Sequence, residues 1–196
     1  SPNTINVRLS RSRAECLPDL LGQRRLVATN SSCGLCGRRS LDSLAVPAAR
    51  LIASWAVGRH VIARLPVVLR ATQRTFAETG GLHAAGLFDP EGRLELSAED
   101  VGRHNAVDKL VGRMMMQGRL PLQRSLLFVS GRSSFEIVQK AFLGGIPLVA
   151  AVSAPSSLAI ELARSAGVTL LGFVRDERFN IYTHHERVHF GEEGES

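Results

Sequence analysis

Apolar positions along the chain follow two patterns. From residue 125 onward, short apolar runs alternate with helical spacing. Leu126-Leu127-Phe128-Val129 reads as a buried strand, Gly131-Arg132-Ser133-Ser134 as a turn whose hydroxyls cap a helix over 135–143, and Gly144-Gly145 as its end. A strand follows over 147–152, Ser156 or Ser157 caps a helix over 158–166, Gly167 closes it, and 168–174 forms another strand. Strand, helix, strand, helix, strand with short connections predicts an α/β fold: a mostly parallel sheet covered by helices. Such sheets bind ligands at the carboxyl ends of their strands, here Ser130-Gly131-Arg132, Ser153-Ala154-Pro155 and Arg175-Asp176-Glu177.

Upstream the pattern is helical first. Residues 46–77 are apolar at helical spacing and interrupted by Pro66, which predicts one helix over 48–55 and another opening after Pro66 and stopped at Thr79-Gly80-Gly81. Residues 83–88 and 93–96 flank Asp89-Pro90-Glu91-Gly92 and read as a hairpin. A helix over 101–116 follows, with Asp100 placed to cap it. Residues 4–9 read as a strand already under way, so further residues are expected upstream. The expected division is a strand remnant and mobile cysteine loop over 1–45, an α/β ligand-binding domain over 46–190, and a disordered acidic tail over 191–196.

Composition narrows the class. With 196 residues, 44% of them hydrophobic, the chain can bury the core of one domain, and with 5% aromatics that core must be built of Leu, Val, Ala and Ile. No apolar run approaches the ~20 residues of a membrane span. No signal-peptide pattern opens the chain. Three cysteines do not make a disulfide framework, so a reduced, cytoplasmic protein is expected. The net charge of +6 calls for an anionic partner. The arginines are scattered and not interleaved with aromatics, which argues against nucleic acid and for a phosphate-bearing small molecule.

Chemistry concentrates at Ser31-Ser32-Cys33-Gly34-Leu35-Cys36-Gly37. A C-x-x-C pair ligates metal, cycles as a dithiol, or carries sulfur as a persulfide. Structural zinc needs four ligands, and no histidine stands at a diagnostic spacing to this pair. A thioredoxin-type site should follow a strand and open a helix, whereas this segment is rich in Ser, Gly and Arg. The persulfide reading needs one accessible thiolate on a mobile loop, and Arg38 and Arg39 lower the thiol pKa nearby. A second polar cluster runs Glu99-Asp100-Val101-Gly102-Arg103-His104-Asn105-Ala106-Val107-Asp108-Lys109; it reads either as a solvated helix start or as a pocket floor whose Arg103 and His104 face an anion. His83, after Gly80-Gly81, sits at a strand edge. Arg132 with Ser133 and Ser134 has the makings of a phosphate site at a helix start, although no Walker A loop is present.

These motifs together resemble the formate dehydrogenase accessory family, FdhD. The likeness rests on Cys33-Gly34-Leu35-Cys36-Gly37, Thr79-Gly80-Gly81-Leu82-His83-Ala84-Ala85, the string from Glu99 to Lys109, Gly131-Arg132, Ser153-Ala154-Pro155, and Phe173-Val174-Arg175 with Asn180-Ile181-Tyr182-Thr183. It implies a cytidine deaminase-like fold with the family's amino-terminal β-rich part largely missing, and a homodimer. It also implies a sulfurtransferase that takes persulfide sulfur from a cysteine desulfurase. The sulfur passes to bis-molybdopterin guanine dinucleotide, which then activates formate dehydrogenase. Cys33 would carry the sulfur and Cys36 assist. Phe173, Val174, Arg175, Asp176, Glu177 and Arg178 would contact the cofactor, with Arg132, Ser153, His83, Arg103 and His104 as further candidates and no metal site. A non-catalytic chaperone for the same cofactor is the alternative. Deaminase chemistry itself is disfavoured, because His83 is followed by Ala84-Ala85 instead of the x-Glu that moves the proton.

Overall fold

The computed structural model describes residues 49–191. The expectations for the cysteine loop, the first strand and the tail beyond Gly191 therefore lie outside the described residues. The elements are β1 (Val57–Gly58), α1 (Arg59–Thr72), α2 (Arg74–Thr79), β2 (His83–Phe88), β3 (Leu94–Asp100), α3 (Arg103–Met116), β4 (Leu126–Val129), α4 (Phe135–Leu143), β5 (Leu148–Ala151), α5 (Ser157–Ala166), β6 (Thr169–Arg175), β7 (Arg178–Thr183) and β8 (Val188–His189). Six strands form one sheet in the order β3-β2-β4-β5-β6-β7, and β1 pairs with β8 in a separate two-residue ladder.

The fold is α/β as expected, but the sheet is mixed. Only β4-β5 and β5-β6 are parallel; β2 is antiparallel to both β3 and β4, and β7 to β6. The reason is connection length. The β2–β3 and β6–β7 links are too short for a crossover, so each must be a hairpin. Strand β7 is absent from the sequence-based expectation. Its Arg178-Phe179-Asn180-Ile181 alternates polar and apolar, and it is reached through a two-residue turn with Asp176 at φ 52.

Alternation along the central strands sorts side chains to two faces. Leu126 and Phe128 of β4, with Leu148 and Ala150 of β5, pack against Ile62, Leu65 and Leu69 of α1. Leu127, Val129, Val149 and Ala151 face α3, α4 and α5, meeting Val107, Leu110, Ile137, Val138, Ala159 and Ala163. A fully buried Leu or Phe contributes about 1.5–3 kcal/mol. On the α1 side the approach is close at Gly86, where a Cβ would stand 3.0 Å from Leu69 Cδ1 and 2.7 Å from Phe88 Cε2.

The region before Gly80 departs from expectation. Residues 49–56 are not helical. Their polar groups bond outward instead: Leu51 N–H donates to Ala166 O at 2.8 Å, and Trp55 Nε1–H to Gln123 O at 2.7 Å. Pro66 lies inside α1 instead of opening a new helix. An internal proline costs ~3 kcal/mol. The buried stripe of Ile62, Leu65 and Leu69 runs past it on both sides, and that packing keeps the helix continuous. Asp100 does not cap α3 either; Gly102 takes that position, and Asp100 organises the turn before it.

Candidate functional site

The strand directions bring sequence-distant residues to one edge. Because β2 runs against β4, its amino end meets the carboxyl end of β4, and His83 lies beside the β4–α4 turn. A Cβ placed on Gly131 would stand 3.3 Å from His83 Nδ1 and 3.9 Å from Arg103 Cδ, so the turn lies close against both residues and a side chain there would crowd His83. Ser130 Oγ accepts from Ala84 N–H at 2.8 Å, and Ser130 N–H donates to Ala84 O at 2.9 Å, which locks the two strand ends together.

A cleft of about 580 Å³ opens at this edge on the α1 side. Pro66, Leu69, Phe128 and Val152 form its apolar walls, and Arg70, Gln73, His83 and Ser130 supply its polar groups. Its volume lies within the range of small-ligand sites. Helix α2 contributes Phe76, over whose ring the Arg70 guanidinium lies at 4.1 Å. This six-residue helix has no cap of its own, because Gln73 at its start makes no side-chain cap bond. Glu99, at the end of β3, does that work from a distance: its carboxylate accepts from Thr75 N–H at 3.0 Å and Phe76 N–H at 2.8 Å. Gly80 ends the helix at φ 67, donating to Phe76 O at 2.7 Å.

The string from Glu99 to Lys109 acts as a brace, and none of its residues lines this cleft. Lys109 Nζ reaches both Asp100 Oδ2 at 2.6 Å and Glu99 O at 2.8 Å. Asp100 also accepts from Gly102 N–H at 2.9 Å and Asn105 Nδ2 at 3.0 Å. The Lys109 contact, then the Gly102 and Asn105 hydrogen bonds, hold the Asp100 carboxyl down at about 2. On the opposite side of the sheet, His104 Nε2 shares a hydrogen bond with Ser134 Oγ at 2.8 Å and lies 3.8 Å from Glu136 Oε2. Burial, then the neighbouring Arg103 charge, pushes the His104 pKa down, so the ring is neutral at neutral pH.

Other candidates are spread out. Arg132 is exposed in the β4–α4 turn. Ser153 O accepts from Phe173 N–H at 3.3 Å, and Phe173 is half-exposed with φ 55. The Val174 side chain is fully buried in the core beneath α1, so it cannot touch a ligand. Arg175 and Arg178 pair across the β6–β7 hairpin and are exposed. Asp176 and Glu177 line a different cavity, of about 760 Å³, with Arg59, His60, Arg64 and Phe190. Of the run from Phe173 to Arg178 only Val174 is buried, and only Asp176 and Glu177 line this second cavity. Two residues that the sequence reading passed over, Gln73 and Phe76, face the first cleft. Gln73 continues the buried stripe at i+4 from Leu69, and a polar residue at a core position was the available signal.

The whole pattern has relatives. The FdhD/NarQ family matches residues 3–189. The chain belongs to that family. It is 51% identical over 95% of its length to a sulfur carrier protein FdhD of Streptomyces avermitilis, covering 66% of that protein. It is 47% identical to the protein of that name from Sulfurisphaera tokodaii, covering 95% of this chain and 69% of the other. A solved structure assigned as a formate dehydrogenase accessory protein, from Desulfotalea psychrophila, superposes with a TM-score of 0.66 at 33% identity, over 72% of this chain and 60% of that one. This FdhD/NarQ chain spans a little over half to two thirds of such relatives, at 66%, 62% and 56% of three of them. Among its described residues no helix is long and apolar enough to cross a membrane.

Proposed function

We propose that this chain carries sulfur on Cys33 and delivers it to a molybdenum cofactor, bis-molybdopterin guanine dinucleotide, destined for formate dehydrogenase. The observation that carries the reading is a C-x-x-C pair in a member of a family whose relatives are named sulfur carrier proteins. The strand-edge cleft supports it, since it offers Arg70, His83 and Ser130 beside apolar walls to a bulky, partly aromatic cargo.

The chemistry balances in two steps. First, the Cys33 thiolate attacks the outer sulfur of a desulfurase Cys–S–SH; the new S–S bond forms on Cys33 and the desulfurase thiolate leaves. Second, the Cys36 thiolate attacks Cys33 Sγ. The Cys33–Cys36 disulfide forms, and HS⁻ departs with the two electrons the thiols give up, to become the sulfur ligand of the cargo's metal. A thiol reductant then restores the pair. Arg38 and Arg39 keep the incoming thiol ionised.

Incubation with a cysteine desulfurase and cysteine should add about 32 Da to Cys33, as read by peptide mass spectrometry. The adduct should vanish in Cys33→Ala. A Cys33→Ser, Cys36→Ser double variant that still activates formate dehydrogenase would replace this reading with that of a non-catalytic chaperone for the cofactor.

A further inference from the structure

Ser134 and Ser156 stand at equivalent places, each just before a helix and each with extended backbone: φ −83 and ψ 168 before α4, φ −80 and ψ 158 before α5. Ser156 Oγ caps its helix, accepting from Ala159 N–H at 3.2 Å. Ser134 Oγ makes no cap bond and turns instead to His104 Nε2, at 2.8 Å. The same ring nitrogen lies 3.8 Å from Glu136 Oε2, and both carboxylate oxygens of Glu136 are buried with no hydrogen bond. A buried carboxylate without a donor is costly. A charge-assisted N–H···O bond spans about 2.7–2.9 Å, so the His104 ring has about 1 Å to travel to supply one. One nitrogen therefore has two partners, and it can hold one at a time.

We infer that His104 is a two-position switch at the start of α4, bonded to Ser134 when neutral and to Glu136 when protonated, with Ser134 Oγ then released to cap the helix. The proton comes from solvent and rests on the ring. As imidazolium the ring donates from both nitrogens, and Glu136 is the carboxylate within its reach. The charged groups acting on the ring come from two helices: Arg103 and Asp108 of α3, and Glu136 and Lys140 of α4. Lys140 is bound to Asp108, which leaves Glu136 to answer the imidazolium. Ser134, once free, accepts from the N–H of Glu136 or Ile137, the second and third residues of the helix. The exchange is one of side chains, because Ser156 N–H donates to Ser133 O at 3.0 Å and holds the backbone of the turn. Its output is a change of cap at the end of the turn that begins at Ser130, a residue of the strand-edge cleft.

The test is NMR of the nitrogen-15-labelled full chain, titrated through the histidine range. The His104 ring should show one step, below the ordinary histidine value, and the backbone amides of Glu136 and Ile137 should shift with the same midpoint while those of β4 stay in place. Glu136→Gln removes the charged partner of the protonated ring and should lower the midpoint. Ser134→Ala removes the partner of the neutral ring and should raise it. Each change should be about 0.4–1 pH unit, the worth of one hydrogen bond. In Ser134→Ala the ring should still titrate, but the Ile137 amide should no longer answer it, since alanine cannot cap. Ser134→Thr keeps the hydroxyl and should restore both the wild-type midpoint and the amide response. Midpoint shifts of the same sign in Glu136→Gln and Ser134→Ala, a midpoint indifferent to Glu136→Gln, or an Ile137 response that persists in Ser134→Ala would overturn the switch.

Discussion

Glu99→Ala removes the carboxylate that holds the start of α2. Two backbone N–H groups, those of Thr75 and Phe76, lose bonds of 3.0 and 2.8 Å. They belong to the first turn of a helix without a side-chain cap of its own. Thr75 is exposed and Phe76 half-buried, so water replaces part of what is lost. The cost should match a lost helix cap, about 1–2 kcal/mol. That energy is local, because no residue of α2 is buried in the core. Amide exchange measured residue by residue should speed up about 5- to 30-fold at Ala77, Glu78 and Gly80, following from that same energy. Exchange in β4 and β5 should stay close to wild type. Glu99→Gln keeps acceptor geometry through one oxygen and should recover part of the protection. Unchanged exchange in α2, or equal loss of protection in α2 and the central strands, would refute the claim that Glu99 fastens this helix from across the chain.

Three further outcomes follow from the same geometry. Because the Asp100 carboxyl lies near 2 in the folded protein against 3.8 otherwise, its contribution to stability is full above the higher value and fades as pH falls toward the lower; Asp100→Asn should flatten that segment of the acid-denaturation curve. The His104 pKa is depressed by burial, with Arg103 and Lys140 opposing its charge and Glu136 and Asp108 favouring it, so the unfolded chain binds more protons just below pH 6.5. Stability should therefore decline as pH drops through that range, and urea midpoints of His104→Gln should lack the decline. Arg187 is buried and donates to Gly167 O at 2.6 Å and, at 3.3–3.5 Å, to Pro147 O, Thr169 Oγ1 and Leu51 O; Arg187→Met should cost about 2–4 kcal/mol in denaturant unfolding, and a loss below half that would show that the carbonyls find other donors.

The fold was most legible where local and global signals agree. Helices α4 and α5 and strands β4 to β6 carry their own period, caps and glycine stops, as at Ser156, whose Oγ accepts from Ala159 N–H, and at Gly167 with φ 76. Legibility failed where tertiary bonds override pattern. Pro66 marks a boundary in any local reading, yet the stripe beneath α1 carries the helix through it. Residues 49–56 have helical spacing, but Leu51 and Trp55 find partners more than 60 residues away. In the site, His83 and Gly131 were legible as chemistry-bearing types, while their meeting depended on β2 reversing direction. Gln73 hid because a single polar residue in an apolar stripe looks like a helix end, which it also is. Val174 was carried along by its motif, and only its burial separates it from the exposed residues of that run.

Gly86 has a bearing on how such a cleft can diversify. A methyl group on Gly86 would meet the side-chain ends of Phe88, Leu69 and Leu94 at 2.7, 3.0 and 3.1 Å, so these core side chains would have to shift to admit one. Growth at Gly86 would therefore be felt first in the core packing, since this residue does not line the cleft itself. The cleft's lining instead comes from side chains on the flank of α1 and on the short helix beside it, where single substitutions can reshape it while the sheet stays put.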